Sequence, residues 1–324
     1  MPFYTMPDQE KLFVRRVGEG EPVLVLSGLG MQSWQWLPFL FASRKKYEFI
    51  IPDWRGFGGS KDCAIPNTDA ISSHWNDIDA LIKQLKLDQF ILIGYSMGAT
   101  TAMHGMKHAD LGSKLKAYLH IDQTPKISVD ETWQYGLFGQ KHLQFKNLLL
   151  DIQTLLLEYK DAVILEDLPK EIRFKLVSLW ARFIEFQSSN SYSPKIFKLA
   201  LHRPFLQKYL LPIQRLDYLL WYVENYLNHD EDYREAISHV DCPTTFFIGR
   251  ESTLYPETGQ TLIANSLSNA TAVYFERSGH TPLITEPRKF SQEIGNFLRE
   301  TYFYLGYFPP KNSQLIYKLA IKLI

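Results

Sequence analysis

The sequence predicts an α/β fold, a mostly parallel sheet flanked by helices, with a helical cap inserted into it. Three observations carry this. Short apolar runs alternate with amphipathic segments toward both ends of the chain. The alternation stops between about Pro125 and Val240, where long helical periodicities replace it. Finally, Gly94-Tyr95-Ser96-Met97-Gly98 joins the apolar run Phe90-Ile91-Leu92-Ile93 to a helical stretch of small residues. The division expected is a core of residues 1–125 and 241–304, a cap of residues 126–240, and a C-terminal extension of residues 305–324.

Residues 11–17 alternate as a strand and residues 23–26 form another, with Gly18-Glu19-Gly20-Glu21-Pro22 between them as a turn. A hairpin is therefore expected to open the sheet. The second strand ends in Ser27-Gly28-Leu29-Gly30. Open α/β sheets carry ligand loops at the carboxyl ends of their strands, so a backbone amide here is placed to face one from Met97. Residues 47–51 make the next strand, which runs into Pro52-Asp53-Trp54-Arg55-Gly56-Phe57-Gly58-Gly59-Ser60. No lysine follows those glycines and no G-x-G-x-x-G opens a helix, which argues against a nucleotide loop. Asp53 and Arg55 are expected to hold the loop's shape. Residues 69–87 carry Ile71, Trp75, Ile78, Leu81, Ile82 and Leu85 at helical spacing.

The turn at Ser96 comes next. A buried strand that stops at a serine and turns at once into a helix leaves that serine on a sharp corner, and the flanking glycines remove the Cβ atoms that would clash there. Because Ser96 precedes a helix start, the Met97 amide points into the same cleft and suits a developing oxyanion. After the elbow helix, residues 115–121 form a strand ending at Asp122, a carboxylate on the same sheet edge as Ser96.

Helical segments are expected in the cap over residues 145–159, 172–186 and 213–228, with a break at Ser188-Ser189-Asn190-Ser191-Tyr192-Ser193-Pro194. Trp133, Tyr135, Phe138, Phe145, Trp180, Phe183 and Trp221 are its candidate pocket aromatics. Of these Trp133, Phe138 and Trp180, together with Trp34 and Tyr95 from the core, are taken as substrate-binding. The sheet resumes with strands at residues 244–248 and 271–275, separated by a helix at residues 257–266. Ser278-Gly279-His280 follows the last strand, and a helix at residues 290–302 closes the domain. The tail over residues 305–324, aliphatic with interspersed lysines, is expected to pack on the body or on a second subunit, making a homodimer one expected state, with a short membrane-surface helix as the alternative.

Equal numbers of basic and acidic residues, 35 of each, give no net field favouring nucleic acid. No apolar run approaches the ~18 residues of a membrane span, and no secretory signal is visible. The two cysteines, Cys63 and Cys242, form no C-x-x-C and are read as reduced and structural. A cytoplasmic protein acting on a small molecule, without metal or other cofactor, is expected.

Taken together, Ser27-Gly28-Leu29-Gly30, Asp53-Trp54-Arg55-Gly56-Phe57-Gly58, the elbow at Ser96 and Ser278-Gly279-His280 give residues 10–300 a pattern that resembles the α/β-hydrolase family. The resemblance implies Ser96 as nucleophile, His280 as base, and the amides of Leu29 and Met97 as the oxyanion hole. Two departures stand out. Ser27 occupies the place where the family usually has histidine. Ser252 occupies the place, three residues after Gly249, where most members carry the orienting aspartate. Some relatives place that acid after the strand following the elbow, where this chain has Asp122; Asp122 is therefore taken as the acid, with Glu251 as the alternative. A serine hydrolase acting on a carboxylic ester with an apolar portion is the reading this implies. Cofactor-free dioxygenases, carbon–carbon bond hydrolases and ligand-binding receptors share the scaffold. Haloalkane dehalogenation is disfavoured, because its nucleophile is a carboxylate.

Overall fold

The computed structural model describes residues 2–187, 213 and 215–304. Its sheet has eight strands: β1 (Phe3–Thr5), β2 (Lys11–Gly18), β3 (Glu21–Leu26), β4 (Tyr47–Pro52), β5 (Phe90–Tyr95), β6 (Leu115–Ile121), β7 (Thr244–Gly249) and β8 (Ala270–Phe275), in the order β1-β2-β4-β3-β5-β6-β7-β8. From β4 onward every neighbouring pair is parallel, and β2 is antiparallel to both β1 and β4. Alternate residues of the central strands feed two cores. Leu24, Leu26, Phe90 and Leu92 face one, while Val23, Val25, Ile91 and Ile93 face the other. Burial on both faces explains why these strands read as continuous apolar runs.

The expected opening hairpin is not formed. β4 lies between β2 and β3, pairing with each. The two glycines of the connecting turn have another purpose: at φ +93° and +111°, Gly18 and Gly20 press against the start of β4, and a Cβ on either would lie 2.3 Å from the carbonyl oxygen of Tyr47 or Lys46. Glu19 N and Glu21 N donate to the carbonyls of Arg44 and Lys46. The connection arches over β4 instead of folding the strands together.

Numbered in chain order, the described helices are α1 (Leu37–Leu40), α2 (Ala70–Leu85), α3 (Met97–His108), α4 (His142–Glu158), α5 (Lys170–Gln187), α6 (Leu216–Asn228), α7 (Arg234–Ser238), α8 (Glu257–Ser266), α9 (Pro282–Thr285) and α10 (Pro287–Tyr304). α2 starts where Asp69 accepts a hydrogen bond from Ser72 N and ends at Lys86 in the left-handed conformation. The helices α4 to α7 fall between β6 and β7, with the aliphatic faces of α4, α5 and α6 in one apolar cluster. The break at 188–194 and the extension at 305–324 lie outside the described residues.

Asp53 and Arg55 are built into the body as expected. Asp53 accepts from the backbone amides of Ser33 and Gly59, at 2.6 and 2.9 Å. The buried Arg55 guanidinium binds Asp77 through two nitrogens and Asp8 through two contacts. Among the described residues no helix is long and apolar enough to cross a membrane. Both cysteines are buried free thiols, and burial pushes the Cys63 thiol up to about 11.

Candidate active site

Ser96 leaves β5 and caps α3 with φ 51° and ψ −121°, a conformation that non-glycine residues avoid and that concentrates at functional turns. The close approach around it accounts for the neighbouring glycines. A Cβ at Gly98 would lie 2.1 Å from the Leu26 carbonyl oxygen, and one at Gly94 would lie 2.9 Å from Ala99 Cα. Neither backbone has room to yield, so the serine is presented by a corner only glycine permits on both sides.

His280 Nε2 lies 2.9 Å from Ser96 Oγ, and its Nδ1 lies 2.6 Å from Asp122 Oδ2. The loop bearing His280 is held from several directions. Tyr95 donates its hydroxyl to the His280 carbonyl and stacks its ring on the imidazole. Ser278 donates to Glu286, whose carboxylate also accepts from Arg277 N. Gly249 meets the Gly279 carbonyl so closely that a Cβ would approach within 2.2 Å.

Asp122 is wholly buried. Its Oδ1 accepts from Gln260 Nε2 at 2.9 Å and from Gly249 N at 3.3 Å, and its Oδ2 accepts from Ser252 Oγ at 2.8 Å as well as from the imidazole. Ser252, three residues after Gly249, is thus a donor to the carboxylate that follows β6. Glu251 joins the His280 loop only through its backbone amide, and its side chain is exposed. The carboxylate in contact with the ring is Asp122.

On the opposite side of Ser96, Gly28 and Leu29 form the cavity wall, and a Cβ at Gly28 would stand 3.4 Å from Ser96 Cβ. The Met97 amide, at the first position of α3, has no intrahelical acceptor. Ser27, in place of the expected histidine, accepts the Trp36 indole on its hydroxyl and the Trp54 indole on its carbonyl, at 3.0 and 2.8 Å. This fixes the start of the loop without a charged group.

A cavity of about 400 Å³ opens over Ser96 and His280, walled by Leu137, Phe145, Leu149, Trp180, Phe183, Leu219 and Tyr226. Among the residues expected to bind substrate, Tyr95 and Trp180 line it. Three do not. Trp34 is 54% exposed on the surface, where its indole binds the Gln32 side chain. Trp133 turns inward to donate to Thr124 Oγ1. Phe138 packs behind the lining, against Phe145 and Phe183. Among the other aromatic candidates Phe145 and Phe183 reach the cavity, Trp221 faces a different groove, and Tyr135 packs on Trp133.

Tyr255 was not anticipated. It is fully buried and lines the cavity beside Ser96. Gln123 Nε2 donates to its hydroxyl at 3.1 Å, while Gln123 Oε1 accepts from Thr124 N, which fixes the amide's orientation. Burial holds the phenol well above its ordinary range, so it stays protonated. The only sequence signal was a tyrosine a few residues beyond a strand end, which no motif distinguishes.

The family described as alpha/beta hydrolase fold matches residues 21–287. The chain belongs to that family. This α/β hydrolase is 22% identical over 285 residues to a pimeloyl-[acyl-carrier protein] methyl ester esterase of Legionella pneumophila, covering 88% of this chain and 98% of the relative. Among solved structures it resembles an esterase from Exiguobacterium antarcticum, with a TM-score of 0.67, 20% identity and coverage of 92% and 98% of the two chains. It also resembles the enol-lactonase from Burkholderia xenovorans, with a TM-score of 0.65, 15% identity and coverage of 92% and 100%. These structural likenesses speak to the fold.

Proposed function

We propose that the protein is a serine hydrolase that cleaves a carboxylic ester, or a related acyl bond, whose apolar portion occupies the cavity above Ser96. The observation that carries this reading is the unbroken chain of contacts from Ser96 Oγ through His280 to Asp122, at 2.9 and 2.6 Å, beneath an apolar chamber. The ester chemistry named for the Legionella relative supports the choice of bond.

In this mechanism Asp122 keeps a proton on His280 Nδ1, leaving the Nε2 lone pair free to accept the Ser96 proton as Oγ attacks the acyl carbon. The carbonyl electron pair moves onto oxygen, where the amides of Leu29 and Met97 receive it. As the tetrahedral intermediate collapses, the imidazolium returns its proton to the departing alcohol. Water then repeats the sequence on the acyl-serine, releasing the carboxylic acid and the free serine hydroxyl. No step requires a metal or an external electron carrier. Two buried free thiols suit a reducing compartment, and the cytoplasm is where we place the enzyme.

A fluorophosphonate probe should label Ser96, and the protein should hydrolyse p-nitrophenyl esters. Both properties should vanish in Ser96→Ala. Folded wild-type protein that neither labels nor turns over ester overturns the proposal. Binding of an ester without turnover would instead indicate a receptor.

A further inference from the structure

A second cluster of chemically active side chains lies at the far end of the helix that Ser96 caps. His104 and His108 stand one turn apart on α3, with ring centroids 4.4 Å apart. Glu231, from the segment following α6, approaches them, and its Oε1 lies 3.2 Å from His108 Nε2. One ligand atom from each of the three residues can be chosen so that all lie within 4.8 Å of one another. A tetrahedral zinc ion with bonds of about 2.0–2.1 Å spaces its ligand atoms by about 3.4 Å. The existing separations therefore need only small side-chain adjustments.

The surroundings supply a second, independent indication. Tyr233 Oη lies 3.0 Å from His104 Nδ1 and 3.2 Å from His229 Nε2. Anchoring one ring nitrogen in this way directs the other, His104 Nε2, for which no hydrogen-bond partner is found among the described residues. Metal-binding histidines are characteristically oriented through their second nitrogen. Lys107 binds the other oxygen of Glu231, Oε2, which holds the carboxylate and leaves Oε1 toward the histidines. His104 and Glu231 also border a polar groove of about 670 Å³, so a fourth coordination position is open to water.

We propose that His104, His108 and Glu231 bind a divalent transition-metal ion of borderline softness, zinc first, with water or a small ligand completing the tetrahedron. Two imidazoles and one carboxylate suit zinc, whereas calcium and magnesium require more oxygen ligands than the site offers. Binding would fasten the segment after α6 to α3, linking the inserted helices to the element that presents Ser96. The site uses none of the residues assigned to hydrolysis.

The test uses tag-free, chelator-treated full-length protein. Zn²⁺ is titrated in competition with a chromophoric chelator, and Co²⁺ binding is followed by its visible absorption. One ion per chain is expected, with a tetrahedral Co²⁺ spectrum and a raised melting temperature in Zn²⁺. His108→Ala combined with Glu231→Gln should weaken binding by at least about 100-fold, and Tyr233→Phe by about 10–100-fold. The exposed His239→Ala should leave it unchanged. The side chains of His108 and Glu231 are 42% and 33% exposed, so their variants are expected to fold, with circular dichroism as the check. If they do not, Glu231→Gln alone provides the comparison. Absence of the Co²⁺ spectrum, or equal affinity in wild type and the ligand variants, overturns the proposal.

Discussion

Replacing Asp122 with asparagine tests the least conventional part of the site. In the wild type, Oδ1 accepts from Gly249 N and Gln260 Nε2, and Oδ2 accepts from Ser252 Oγ and His280 Nδ1. The two amide donors at the Oδ1 position will hold the asparagine oxygen there. Its NH₂ group must then occupy the Oδ2 position and donate toward His280 Nδ1. The imidazole can accept that bond only by carrying its proton on Nε2, which leaves no lone pair facing Ser96. Geometry survives while the base is lost, a change that costs on the order of 10⁴ in kcat, or ~5.5 kcal/mol of barrier. Ester hydrolysis should be measured alongside thermal melting, because the loss is expected without unfolding. Adding Ser252→Asp to Asp122→Asn returns a carboxylate to the neighbourhood of Oδ2 from the other strand and should recover at least tenfold. Asp122→Asn within tenfold of wild type, or a comparable collapse in Glu251→Gln, refutes the assignment.

Three further outcomes are expected. Tyr255→Phe leaves the Gln123 amide without the hydroxyl it donates to in the wall of the Ser96 cavity and should lower the melting temperature by about 2–4 °C, as loss of a buried hydrogen bond of about 1 kcal/mol does; an unchanged melting temperature would reduce Tyr255 to a packing residue. Trp180→Ala enlarges the cavity wall and should shift the optimum of kcat/KM toward longer acyl chains across a p-nitrophenyl ester series, whereas a uniform decrease would argue that the acyl group lies elsewhere. The fold should lose stability below pH 6.5, because burial pushes His74 down to about 3 and His120 down to about 4. The unfolded chain binds those protons first, so stability is complete above the unfolded value and falls with pH, by on the order of 1–2 kcal/mol for each histidine by pH 5. Urea unfolding at pH 7.5 and pH 5 measures this, and equal midpoints would contradict it.

The parts of this protein that were legible in its sequence are those where one residue type satisfies a local demand. Gly94 and Gly98 are required by contacts within a few residues of Ser96 and with the adjacent strand, so the turn could be read without knowing the rest of the fold. The strands could be read because both their faces are buried. Pairing was less accessible: glycines in a short connection signal a tight approach but not its partner, and Gly18 and Gly20 are tight against β4 rather than against a hairpin turn. Facing was less accessible still. Trp133 and Trp180 have the same side chain, and the contacts that hold Trp133 outside the cavity, the Thr124 hydroxyl that takes its indole and the Tyr135 and Arg234 side chains against its ring, are set by the folded chain rather than by the residue type.

Asp122 combines both difficulties. As a residue type at a strand end it was visible, and the family resemblance ranks it above Glu251, but its burial among donors could not be read from the sequence. Three of those donors, Gly249, Ser252 and Gln260, lie more than 120 positions away along the chain. Ser252 gives the physical reason the acid can stand on β6. A hydroxyl at that position is small and donates a hydrogen bond to Asp122 Oδ2 at 2.8 Å, so it fills the space beside the carboxylate without crowding it. An aspartate there would bring a second negative charge against the first, and one of the two would have to take up a proton.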